Sequence, residues 1–241
     1  MFAFTIKAFA TTASFRIPEN HTFQQTLPLP PMTTLTGLMG AALGLSFEEV
    51  MKFREENKIL FGVIGSHKGE MRDLWKYNKI KTTYKEDGSD RKDVLIREYL
   101  TEFSLTVAVG SEDKTTLTKV RDSFCNPVYA LTMGNSDDLL KIYKIGNIVE
   151  TIDESYSDFE DTMLPEDQTQ DYKPPDDFLE NTPVTYTVRA PQVFLLPTDF
   201  RFNGEERRVS ERKQFTFVGS PIRLKNPITT HNIDGIKVVL L

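Results

Sequence analysis

Residues 25–45 read QTLPLPPMTTLTGLMGAALGL, and the order of elements around them decides the fold. Pro28, Pro30 and Pro31 cannot continue a helix but can lead into one. Thr33 or Thr34 is a suitable N-cap for a helix to about Leu45, its hydroxyl accepting from the free amides of the first turn. Gly37, Gly40, Ala41, Ala42 and Gly44 make that helix slender. Each glycine costs roughly 1 kcal/mol against alanine in an exposed helix, so close packing against a sheet or a ligand is expected as compensation. The free amides at the helix start, with the hydroxyls of Thr33 and Thr34, are a natural site for an anion. A helix that is merely tightly packed fits the same residues.

Outward from this segment, residues 2–9 (FAFTIKAF) alternate with period two and predict a first strand. Ser46 and Glu49 form a capping box for a second short helix through about Glu56. Residues 58–65 (KILFGVIG) read as a buried strand. A polar, basic stretch from Ser66 to Arg97 follows, with a hairpin tip at Glu86-Asp87-Gly88. Strand character resumes over 94–109, and Gly110-Ser111 leads into a helix through about Phe124. A strand over 128–133, a helical turn capped by Ser136 and β character over 141–149 come next. Strand, helix, strand, strand, helix, strand is the order of a ferredoxin-like α+β unit. Further β-rich pieces at 183–196, 200–218 and 235–241 either extend that sheet or form a second one. The expected organisation is a unit over 1–150, an acidic mobile insertion over 151–182 and a β-rich region over 183–241.

The net charge of -6 is unevenly placed. Residues 150–180 hold 12 acidic side chains and one base, Lys173, a local charge of -11 that leaves +5 on the remainder. A phosphate-binding face is compatible with that remainder. The single cysteine, Cys125, excludes an internal disulfide and a cysteine-based zinc site in one chain. No run of eighteen apolar residues predicts a membrane span, and the first ten residues read as a strand and not a signal peptide. A cytoplasmic chain with no membrane partner is expected.

Catalytic constellations are scarce. His21, His67 and His231 are isolated, and no metal-ligand spacing, phosphate-binding loop or nucleophile elbow is present. No metal, cofactor or catalytic residue is therefore expected. His67-Lys68 is the one adjacent base and cation, and a polar strand end beginning a hairpin is the favoured reading of it. The stretch 66–97 has nine Lys or Arg against six Asp or Glu, with Trp75, Tyr77 and Tyr84 among them. Arg72, Trp75, Lys76, Tyr77, Lys79, Lys81, Tyr84 and Lys85 thus mix cations for phosphates with rings for base stacking, a combination by which single-stranded RNA is commonly held. A solvated hairpin with a few packed aromatics remains the alternative. A second basic run, Arg201, Arg207, Arg208, Arg212 and Lys213, is diluted by Glu205, Glu206 and Glu211 and reads more readily as a solvated strand.

The 25–45 segment resembles the N-terminal signature of the fifth CRISPR-associated (Cas) family of the RAMP superfamily. The matching residues are Phe15-Arg16, Thr26, Pro28, Pro30, Pro31, Thr33, Thr34, Gly37, Gly40, Ala41, Leu43 and Gly44. Arg97-Glu98-Tyr99-Leu100 is a second match. Asn126 to Asp138 is similar to the family's Pro-Tyr-Leu-Gly-Arg-Ser-Glu-Asp pattern, with Asn135 in place of its arginine. The resemblance implies a ferredoxin-like (RRM/RAMP) palm with an inserted β-hairpin thumb at about 66–97 and additional C-terminal β structure. It also implies a non-catalytic subunit that grips and caps the 5′ handle of the crRNA in a type I Cascade complex of the I-B kind. Its expected partners are the backbone subunit (Cas family seven) and the large subunit (Cas family eight). Arg16, Thr33, Thr34, Arg97 and the thumb cations would meet RNA. Two other functions stay open: a metal-independent endoribonuclease using His67 or Tyr84 with Lys68, and a protein scaffold without RNA contact.

Overall fold

Phe2–Ala13 alternates large apolar side chains with small or polar ones and forms β1, an inner strand of the computed structural model. Residues 1–20, 23–78, 92–176, 178, 187–204 and 206–241 are described by the structure. After β2 (Phe23–Gln24) come α1 (Met32–Leu43), α2 (Phe47–Glu56), β3 (Leu60–Ser66), β4 (Gly69–Asn78) and β5 (Lys92–Ser111). Helix α3 (Lys114–Cys125) then leads to β6 (Leu140–Ile145) and β7 (Val149–Glu150). Within the main sheet the order β3-β5-β1-β6 is antiparallel throughout, which is the ferredoxin-like arrangement. Both helix caps follow from sequence: Ser46 and Glu49 close the capping box on α2, and the Asp113 carboxylate accepts from the amides of Thr115 and Thr116.

The helices cover one face of this sheet, enclosing Phe4, Leu35, Met39, Phe61, Phe103 and Leu117. Each such side chain stabilises the fold by roughly 1.5–3 kcal/mol through burial. The other face carries small residues, Ala3 and Ala108 among them, against the segment 236–240. A Cβ on Gly62 would lie 2.5 Å from Val238 Cγ2 and 2.6 Å from the Val239 carbonyl oxygen, so glycine is what lets the chain end press onto β3. Strand β5 is 20 residues long because it serves two structures. Its first half pairs with β4 as the inserted hairpin, and its second half pairs with β1 and β3. Glu102, with a φ of 48°, falls where the two halves meet.

Four expectations are corrected. Helix α1 starts one residue ahead of Thr33: Pro31 is its extended N-cap, and its carbonyl accepts from the amides of Thr34 and Leu35. The threonines therefore cap nothing, and their side chains line a groove instead. Residues 128–133 are not a strand. The Val128 and Tyr129 amides donate to the Ala42 and Ala41 carbonyls at the end of α1, each at 3.1 Å, so their hydrogen bonds go to the helix and not to a ladder. Ser136 starts no helical turn; the turn there is held by the Asp138 carboxylate, which accepts from Asn135.

The fourth correction concerns the acidic stretch, which is not a mobile appendage over its described strands. It contains β8 (Ile152–Phe159), β9 (Thr162–Pro165) and β10 (Tyr172–Lys173), with Phe159, Met163 and Leu164 buried. Strand β9 lies between β3 and β12 (Glu206–Val218), which pairs in turn with β11 (Gln192–Asn203). Strand β8 pairs with β13 (Ile222–Ile233) in a second sheet that also holds β10 and β14 (Ile236–Val238). Acidic composition misleads here because the carboxylates meet partners within the second sheet: Asp158 meets Arg223 at 2.7 Å, Glu154 meets Lys237 at 2.7 Å and Asp153 meets the His231 ring at 2.8 Å. The C-terminal pieces thus both extend the first sheet and build a second.

Candidate nucleic-acid interface

Three expected residues converge. Arg16 sits just beyond β1, bridged to Thr26, and lines one groove with Thr33 and Thr34 at the start of α1. Its guanidinium has no ion pair among the described residues and is exposed. The opposite wall is the β11–β12 hairpin, which supplies Phe200, Arg207 and Arg212. Two adjoining hollows of about 410 and 540 Å³ make up the groove. Gly134 closes its floor. With a φ of 113° and a hypothetical Cβ 1.7 Å from the Ser14 carbonyl oxygen, it can be no other residue without displacing β1. This contact brings Asn135 to the rim beside Arg16.

Arg207 and Arg212, which the sequence places in a basic run read as a solvated strand, face this groove. Arg207 rests over the rings of Phe47 at 5.0 Å and Phe200 at 5.4 Å, which fixes its guanidinium without using its hydrogen-bond donors. Phe47 and Phe200 meet edge to face at 5.5 Å beneath it. Arg212 donates to Glu19 at 3.0 Å and to the Leu195 carbonyl at 3.3 Å. The one sequence signal was Phe200 and Phe202 facing Arg207 across a turn, legible only once strand register is known. Guanidinium groups, threonine hydroxyls, a helix N-terminus and an aromatic wall together suit a phosphodiester with a base beside it.

The inserted hairpin is organised differently. Cross-strand register and alternation place Trp75, Arg97 and Tyr99 on one face, and Arg72, Leu74, Lys76 and Ile96 on the other. Cations and rings that adjoin in sequence are therefore separated. Trp75 and Tyr77 stack at 5.0 Å and 20°, with Trp75 still 39% exposed. Arg97 is only 8% exposed. Its guanidinium lies 4.7 Å from the Trp75 ring centre and 5.0 Å from that of Tyr99, and it pairs with Asp73 at 3.4 Å. Burial also pushes the Tyr99 phenol above its ordinary pKa. Arg72 lies over the Phe23 ring and pairs with Glu98 at 3.2 Å, whereas Lys76 is exposed with no ion pair among the described residues. Lys79, Lys81, Tyr84, Lys85 and His21 lie outside the described residues.

His67 and Lys68 are directed to different partners. The His67 side chain is 3% exposed; its Nε2 accepts from Arg189 at 2.7 Å, and its Nδ1 donates to the Gly69 carbonyl at 3.0 Å. Arginine only donates, so this tautomer is fixed and both ring nitrogens are occupied. Burial and the Arg189 charge lower the imidazole pKa, which keeps the ring neutral at pH 7. Lys68 points away, paired with Glu102 at 2.7 Å. Among the described residues no cluster of three potential ligands could hold a metal ion, and no helix is long and apolar enough to cross a membrane.

Comparison with known proteins agrees with this architecture. The family model described as "CRISPR-associated protein (Cas_Cas5)" matches residues 4–207. No curated protein matches the sequence. A chain of a "CRISPR RNA-guided surveillance complex" shares the fold at a TM-score of 0.55 and 15% identity, over 93% of this chain and 91% of that one. A CRISPR protein from Archaeoglobus fulgidus does so at a TM-score of 0.50 and 10% identity, over 99% and 98% of the two chains. A third structure, of a Cas protein, is 17% identical over 59% of this chain and 62% of its own length, less than two thirds, at a TM-score of 0.40. Matched over most of its length by that family model, the chain belongs to the Cas5 family of CRISPR-associated proteins.

Proposed function

We propose that this Cas5-family chain binds the 5′ handle of a crRNA as a non-catalytic subunit of a Cascade-type complex, of type I and of the I-B kind. One observation carries the reading: Arg16, Arg207 and Arg212 converge on the N-terminus of α1 beside Phe200. Three cations there outweigh Glu19, the carboxylate that Arg212 engages, and a single strand can lay its phosphates along them while a base meets the ring. The likeness to a chain of an RNA-guided surveillance complex supports a place in such an assembly. Within it the backbone subunit of Cas family seven and the large subunit of Cas family eight are the proposed neighbours, in the cytoplasm.

The test is binding of a handle-sequence RNA, followed by fluorescence anisotropy over a series of salt concentrations. Replacing Arg16, Arg207 and Arg212 with alanine should flatten the plot of log affinity against log salt by about 2, or roughly 0.7 for each lost phosphate contact. An unchanged slope would remove the groove from RNA binding. Incubation of a repeat RNA with the chain in chelator addresses the nuclease reading. The RNA should stay intact, because His67 has no free lone pair. Cleavage abolished by His67→Ala would overturn the non-catalytic assignment.

A further inference from the structure

The β11–β12 hairpin also borders a second, larger cleft, of about 1100 Å³, with a different chemistry. Its apolar lining includes the half-buried Met1, Leu60 and Leu241, with Met32, Met51, Ile59 and Phe215 buried beneath them. The charges around it are mostly negative, and those close to cations are already engaged. Glu211 pairs with Lys213 at 3.4 Å and accepts from Thr198 at 3.0 Å. Arg54 donates to the Ile59 carbonyl at 3.2 Å and lies over the Phe61 ring, with Asp199 as its nearby counter-charge. Glu55, Glu112 and Glu166 remain exposed on the rim without an ion pair among the described residues, against Lys58 alone.

We propose that this cleft docks a cationic amphipathic segment of a partner polypeptide. The segment's apolar side chains would cover Met1, Leu60 and Leu241 above the buried Met32 and Met51, and its lysines or arginines would meet Glu55, Glu112 and Glu166. Charge complementarity selects this occupant: the same carboxylates repel nucleic acid, and an apolar floor gives phosphates no donors. The site is independent of the RNA groove. Met32 lines the cleft while its neighbours Thr33 and Thr34 line the groove, so the first turn of α1 separates a surface for protein from a surface for phosphate.

The probe is a capped leucine–lysine peptide of about 14 residues, roughly 20 Å long as a helix. It is titrated into the full chain labelled with ¹³C at the methionine methyl groups. Shifts should concentrate on Met32 and Met51 and leave Met71, on the inserted hairpin, and Met133, by the RNA groove, in place. Reversing Glu55, Glu112 and Glu166 to lysine should weaken binding at least about tenfold, which corresponds to ~1.4 kcal/mol. Reversing Glu48, Glu160 and Asp234, an equal charge change away from the cleft, should alter it less than about twofold. Unmoved Met32 and Met51 signals would overturn the proposal. So would equal losses from the two triple reversals, or equal binding of the peptide with glutamate in place of lysine.

Discussion

Two long hairpins leave the main sheet, and they use their arginines in opposite ways. In β4–β5 the composition looks made for RNA, yet Arg97 is enclosed by Trp75, Tyr99 and Asp73, and Arg72 is tied to Glu98 and Phe23. In β11–β12 the cations look diluted by glutamates, yet Arg207 is held on two rings with its donors free to face the groove. What distinguishes them is the partner each guanidinium meets. Asp73 and Glu98 take donors of Arg97 and Arg72 within the hairpin itself, whereas Arg207 is supported by rings alone and Arg212 keeps only Glu19 as a counter-charge at the groove edge.

This contrast yields graded effects. The largest is expected from the combined Arg16→Ala, Arg207→Ala and Arg212→Ala variant. It should lose about 100-fold in handle-RNA affinity, ~2.7 kcal/mol, with anisotropy as the readout and a thermal melt to verify folding. Arg97→Met should act on stability instead. Losing two cation–π contacts and an ion pair lowers it by roughly 1–3 kcal/mol, with a fall in Tm of several degrees while RNA affinity stays within about twofold. A large affinity loss with unchanged Tm would reverse the roles assigned to the two hairpins. The double variant Arg72→Ala, Lys76→Ala should weaken RNA binding less than about tenfold, because Arg72 is already engaged by Glu98.

The smallest effect belongs to the cluster where His67 meets Arg189. Burial and the neighbouring Glu160 raise the Asp161 pKa to about 6, against the partial opposition of Arg189. A carboxyl whose folded pKa lies above its unfolded value binds its proton more tightly in the fold, so ionisation costs stability as pH rises from about 4 through 6. Asp161→Asn should therefore match wild type near pH 4 and melt higher at pH 8, by on the order of 2 °C after allowance for solvent screening. Asparagine also tolerates the φ of 49° at that position. A gap that narrows with rising pH would contradict this origin.

The elements most legible in the sequence were those specified locally. Ser46 and Glu49 mark the start of α2 through their own hydrogen bonds, and the alternation in 2–9 marks β1. What escaped depended on distant partners. Val128 and Tyr129 have strand-like sequence, but the Ala41 and Ala42 carbonyls take their amides. The carboxylates of 152–158 read as disorder until Arg223, Lys237 and His231 stand opposite them. At the groove, Arg16, Thr33 and Thr34 were legible because they lie near one helix start. Arg207 and Arg212 were not, since nearly two hundred residues separate them from Arg16 in sequence and only the sheet order β11-β12-β9-β3 brings them alongside.

Photocrosslinking tests the groove most directly. A handle RNA carrying 4-thiouridine is irradiated on the full chain, and the attached peptides are mapped by mass spectrometry. Crosslinks should fall on Phe200 and its neighbours in β11–β12, together with the 15–34 segment. Crosslinks confined to the inserted hairpin, with none in β11–β12, would contradict the assignment of the groove as the principal RNA contact.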